Sequence, residues 1–234
     1  MAVIHRTTLT PGKLELLADW LPTRRWYLGG EGGPLLTKAG GFRLDDPHGE
    51  VGIEFMAVTD ESGSRPITYQ VPLSYRGAPL DGAAHALIGT TEHGVLGRRW
   101  VYDGSRDPVL VAQLLALVVG EAEPQAQSTS DAPDPTVTRH FTGTGPLSPA
   151  RLAEVADGPH STDLPLGTGP GGQLTLRLNR VLRPRQDDPS PDAAQRLGHI
   201  EGQWLLPGGA TARGLFAVVR DDTPRPAAGP AQPS

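Results

Sequence analysis

The 234-residue sequence contains no cysteine. That excludes disulfide staples, thiolate zinc sites and a cysteine nucleophile together. Lysine is nearly absent, with Lys13 and Lys38 alone among basic positions otherwise held by Arg. There is no run of basic residues and the net charge is −5. Nucleic acid is therefore not expected as a partner, since neutralising phosphates takes clustered cations. The longest apolar run, Val109 to Val119, is broken by Gln113 and falls short of the roughly 20 residues a membrane-spanning helix requires. The opening Met-Ala-Val-Ile-His-Arg lacks the basic start and apolar core of a secretory signal. The sequence reads as soluble and cytoplasmic, with no membrane association.

Glycine (30) and proline (24) are abundant, which favours short strands and many turns over helix bundles. Thr10-Pro11 predicts a helix start, with Leu14, Leu17, Ala18 and Leu21 on one face and Pro22 at the end. A Gly-rich turn, Gly29 to Pro34, follows. Val51, Ile53, Phe55 and Ala57, and then Ile67, Tyr69, Val71 and Leu73, recur with period two around the turn Ser62-Gly63-Ser64. They predict paired strands with one face buried. Ala86–Thr91 and Val95–Asp103 predict a second hairpin turning at Glu92-His93-Gly94. Asp107-Pro108 repeats the cap-plus-proline helix start, an apolar face runs from Leu110 to Val118, and Gly120 stops it.

Residues 121 to 136 lose any apolar period and read as a linker or long surface loop. Four further strands are expected around Thr136–Thr142, Gln173–Arg183, His199–Leu206 and Arg213–Arg220. Gly158–Gly172, Pro184–Pro191 and the Pro/Ala-rich tail after Asp222 have the composition of disordered segments. The expected organisation is an α+β domain at 1–122, a linker at 123–135, a β-rich unit at 136–222 that extends the same sheet or stands apart, and a disordered tail at 223–234.

Leu17-Ala18-Asp19-Trp20-Leu21-Pro22-Thr23-Arg24-Arg25-Trp26-Tyr27 resembles the opening of the N-terminal cap domain of maltokinases. Tyr69-Gln70-Val71-Pro72-Leu73 is similar to that family's Tyr-x-x-Pro-Leu strand, and Val101-Tyr102-Asp103-Gly104 before Asp107-Pro108 is similar to its Tyr-Asp-Ala segment and closing helix. His5–Pro11, Pro72–Leu80 and Gly89–His93 resemble an actinobacterial group that carries the cap without a kinase. The resemblance implies a curved antiparallel sheet with a few flanking helices. It does not carry kinase activity with it. Kinase caps place a Lys within the glycine stretch, where this sequence has Glu31.

Phosphoryl transfer needs a base or water-positioning Asp, metal-binding carboxylates and a phosphate cradle, and the sequence has no His-x-Asp catalytic loop with a downstream Asn. Asp103 before Gly104 is better read as a turn residue than a metal ligand. The Gly29–Gly33 stretch follows a helix and is closed by Pro34, unlike a P-loop or a dinucleotide loop. The seven histidines form no His-x-His or His-Glu-x-x-His pair, and no Gly-x-Ser-x-Gly elbow is present. Acid pairs such as Asp45-Asp46, Asp187-Asp188 and Asp221-Asp222 sit in loop-like contexts.

The scarce aromatics gather in the first half. Core packing is the ordinary use of such residues. The functional alternative is a sugar-stacking platform or a protein contact. Trp26, Tyr27, Arg98, Trp100 and Tyr102 are the candidate surface or ligand contacts. No catalytic residue, cofactor or metal is expected. The expected role is a non-catalytic accessory or interaction module tied to maltose, trehalose or glycogen metabolism, with a sugar kinase or another carbohydrate enzyme as partner. Binding of a sugar or sugar phosphate is the alternative, and a kinase or transferase, or other unrecognised enzyme chemistry, ranks behind both.

Overall fold

The computed structural model describes residues 8–30, 32–127, 132–144, 147–149, 152–167, 173–185 and 195–222. Its α-helices are α1 (Lys13–Trp20) and α2 (Pro108–Val119). The strands of the first half are β1 (Leu9–Thr10), β2 (Leu36–Leu44), β3 (Gly52–Asp60), β4 (Ile67–Arg76), β5 (Leu87–His93) and β6 (Gly97–Asp103). Those of the second are β7 (Thr138–Phe141), β8 (Ala156–Asp157), β9 (Ser161–Pro165), β10 (Leu174–Asn179), β11 (Arg196–Leu205) and β12 (Thr211–Asp221).

All twelve strands join one antiparallel sheet in the order β1-β5-β6-β4-β3-β2-β11-β12-β10-β9-β8, with β7 laid against β11. Its end strands in this order, β1 and β8, do not pair with each other. Within this one sheet β2 and β11 meet at Gly40 and Trp204. After β10 the chain swings back to β4, where Gln70 N–H donates to Arg180 O at 2.9 Å and Leu182 N–H to Thr68 O at 2.8 Å. The buried Gln70 amide adds bonds to the carbonyls of Asn179 and Phe216.

Every residue of β3 from Ile53 to Asp60 is buried, because each face of the strand has its own cover. On one face α1 lays Leu17 and Trp20 against Met56, Val58, Tyr69, Val71 and Leu73. On the other, Ile53, Phe55 and Ala57 share a larger core with α2, through Leu110, Leu114 and Val118, and with Leu176, Trp204 and Phe216 from the second half. Phe42 and Phe55 stack at 4.6 Å and Phe216 packs 5.7 Å away. Each fully buried side chain of this kind contributes about 1.5–3 kcal/mol relative to exposure, so α2 is held chiefly by its apolar face.

The ends of α2 match the expectation. Asp107 Oδ1 accepts from Val109 N–H at 2.9 Å, Pro108 occupies the first turn, and Gly120 takes a left-handed φ of 90° that a glycine C-cap favours. α1 starts later than Thr10-Pro11 predicts. Thr10 pairs with Glu92 in β1, so the helix begins after Gly12, whose N–H donates to Glu15 Oε2 at 2.6 Å.

β2 and β9 are strands where none was expected. In β2, Gly40 and Gly41 break the apolar alternation and a bulge falls between Lys38 and Gly40. Gly41, at φ 121°, lies so close to β3 that a Cβ there would stand 1.9 Å from Phe55 O. β9 lies inside the stretch read as disordered; its pairing with β10 from Ser161↔Asn179 to Pro165↔Thr175 orders it despite its composition. Most of Pro184–Pro191 and the tail after Asp222 lie outside the described residues, as does Glu31.

Candidate functional site

The aromatic positions singled out from the sequence divide between two clusters, Trp100 and Tyr102 of β6 in one and Trp26 and Tyr27 with α1 in the other. Val101 faces the α1 side, while Tyr102 and Trp100 pack on the opposite side with Ala83, Ala86 and Leu80. Tyr102 is buried and its hydroxyl accepts from Leu80 N–H at 2.8 Å. Trp26 is wholly buried on the α1 side, edge-on to Trp20 at 5.7 Å and 5.9 Å from Tyr69. Arg98 is exposed near the β5–β6 turn and pairs with Glu92 at 2.8 Å. The five residues do not converge on one concavity, and packing accounts for Trp26 and Tyr102.

Tyr27 belongs to a different small network. Its hydroxyl donates to Asp60 Oδ2 at 2.8 Å, and Asp60 Oδ1 accepts from Leu35 N–H and Ser62 N–H, both at 2.9 Å. Burial works against the Asp60 charge, but the N–H donors of Ser62 and Leu35 hold its carboxyl below the usual range. Tyr69, whose hydroxyl accepts from Leu28 N–H at 2.9 Å, is pushed up to about 12, first by burial and also by the Asp60 charge. These bonds anchor both ends of the glycine-rich turn. They leave Leu28 45% and Leu35 62% exposed on either side of it.

Three buried acidic residues, Asp103, Asp107 and Glu54, are committed to internal partners. Asp103 holds Arg180: Nη2 donates to both carboxylate oxygens at 2.8 and 2.7 Å. The same guanidinium donates to Thr162 Oγ1 and Ser105 Oγ and lies over the Trp26 ring at 5.0 Å. Asp107 accepts a two-pronged Arg76 contact at 2.7 Å per bond while capping α2. Burial opposes its charge, and Arg76 outweighs that and holds the carboxyl below its usual range. The Asp103-Gly104-Ser105 segment is thus an arginine anchor inside the fold. Glu54, also buried, accepts from Lys13 Nζ at 2.6 Å, the Tyr75 hydroxyl at 2.7 Å and Gln127 Nε2 at 3.0 Å. Burial opposes its charge too, yet Lys13 keeps it ionised below the ordinary range, while burial and the Glu54 charge push Tyr75 well up.

Arg180, Glu54 and Asp60 were not singled out from the sequence. No local pattern marks them, because Arg180 meets Asp103 across 77 positions and Glu54 meets Lys13 across 41. Among the described residues no group of three His, Asp or Glu is placed to hold a metal ion. A slit of about 10 Å³ under α1, lined by Lys13, Leu16, Leu17, Tyr75, Ile88 and Val101 among others, has room for about one water. No helix among the described residues is long and apolar enough to cross a membrane.

Among the described residues the chain forms a mostly antiparallel sheet with two short α-helices, an α+β arrangement. Residues 20–107 match the model of the maltokinase N-terminal cap domain, so the chain carries a maltokinase-cap-like segment covering well under half its length. The match runs from the last residue of α1 to the Asp107 cap of α2 and leaves out Arg180. No curated protein matches the chain.

Proposed function

We propose that the protein is a non-catalytic accessory or interaction module of the cytoplasm, tied to maltose, trehalose or glycogen metabolism. Residues 1–122 supply the cap-like contact surface. Residues 136–222, joined by a linker at 123–135, form a second β-rich unit that braces it. The partner is a sugar kinase or another carbohydrate-metabolism enzyme.

The observation that carries this reading is the pair of exposed apolar side chains, Leu28 and Leu35, presented by a turn whose two ends are fixed through Tyr69 and Asp60. Exposed apolar side chains beside fixed backbone positions suit a protein contact. The match of 20–107 to a maltokinase cap supports the metabolic link by family analogy.

The test is affinity capture from native extract with the wild-type chain and with Leu28→Glu/Leu35→Glu, scored for a carbohydrate-metabolism enzyme. The expected result is capture of such an enzyme by the wild type and at least about tenfold weaker capture by the variant, the effect of about 1.4 kcal/mol. Repeated capture of no such enzyme, or equal capture by a variant that still folds, overturns the reading.

A further inference from the structure

We propose that β7 is a strap released by acid, the trigger being protonation of His199 opposite it, and that its release frees the edge of β11. β7 is four residues long and its strand pairing is with β11 alone, from Thr138↔Glu201 to Phe141↔Gly198. His140 sits directly opposite His199, with ring centroids 5.5 Å apart. A neutral His199 tolerates this half-buried place beside the exposed His140, whereas an imidazolium there is opposed by burial and by nearby cations.

The surroundings supply those cations. Arg196 from β11, Arg185 from the segment after β10 and His140 itself all disfavour a charge on His199. Glu201 is the one acid acting on it and lies 3.9 Å from Nε2, but it already pairs with Arg185 at 2.9 Å and with Arg213 of β12 at 3.1 Å. On the far side of β11 the residue opposite His199 is Val218, which carries no charge. Arg139, on the other face of β7, stands at Gly120 beyond the end of α2. Burial first, and then these cations, place His199 below the ordinary histidine value of 6.5.

The sign follows directly. A histidine whose folded value is depressed binds its proton more readily once β7 is loose, so the strap is stable above about pH 6.5 and weakens as pH falls below it. Release uncovers Val137 and Phe141, which pack against the main core, and it leaves the 198–201 edge of β11 without its β7 ladder. An unpaired edge is a template for another strand.

The test is amide hydrogen exchange at pH 7.5 and 5.5, corrected for intrinsic rates, on the wild type and His199→Gln. In the wild type the 138–141 amides should lose protection at pH 5.5 relative to pH 7.5, while β3 and β10 keep theirs. His199→Gln should lose most of that pH dependence. The proposal is overturned if β7 exchanges in step with β3 at both pH values. It is equally overturned if the loss persists undiminished in His199→Gln.

Discussion

Replacing Arg180 by Met removes a guanidinium that is 0% exposed and tied to three side chains at once. Met keeps most of the length of the stem over Trp26 but leaves the Asp103 carboxylate buried without its counter-ion. Breaking a buried pair from one side costs about 3–5 kcal/mol, whereas replacing both members by apolar groups is close to neutral. Arg180→Met should therefore lose about 3–5 kcal/mol, and Arg180→Met/Asp103→Leu should recover most of it. A coupling of about 3 kcal/mol in the double-mutant cycle is the quantity of interest. Urea unfolding followed both by tryptophan fluorescence, which senses Trp26, and by far-UV circular dichroism supplies it. The two probes should coincide in the wild type, because the shared core makes the halves unfold together. A loss below about 1 kcal/mol, or a double variant no better than the single, would refute the claim that this pair locks the two halves.

Two further outcomes are expected. Glu54, Asp60, Asp46 and Asp107 all have folded carboxyl values below their ordinary ones, so the stability they add is complete above about pH 4–4.5 and lost as pH falls further; Glu54→Gln should flatten that acid limb of the urea midpoint, and an unchanged slope would show that its network is not responsible. Gly41→Ala should abolish folding or lower Tm far more than Gly49→Ala, because the new Cβ would meet Phe55 O at 1.9 Å whereas Gly49, at φ 71°, has nothing within 4 Å. Gly49→Ala should cost the left-handed backbone penalty of about 1–2 kcal/mol, and equal Tm shifts for the two would contradict the close approach of β2 and β3.

Local chemistry made parts of this fold legible. Asp107-Pro108 and Gly120 bound α2 because capping acts within a few residues, and β3 and β4 announce themselves by alternation. β2 escaped because its two glycines interrupt the apolar period at the point where the strand bends. β9 escaped because its order comes from β10, not from its own composition. The aromatic candidates could be named but not placed: a Trp in a strand or turn carries no sign of which face of the sheet it joins. Arg180 was illegible for a stronger reason, since a buried ion pair leaves no trace in either partner's neighbourhood. The resemblance of residues 20–107 to a maltokinase cap was readable because it rests on contiguous motifs.

The bridge from Arg180–Leu182 back to β4 bears on what can be inherited or transplanted. β4 is paired by β6 from Leu73 to Arg76 and by the returning segment around Tyr69, so part of its second edge is supplied from well outside the stretch that matches the family model. A gene rearrangement that moved residues 20–107 alone would carry a recognisable motif but strip Trp26 of its arginine cover and leave half of a central strand open. The stretch that matches the family model and the stretch that must travel together to fold are different lengths of chain. A fusion or truncation intended to borrow the cap surface would have to run at least to the end of β12.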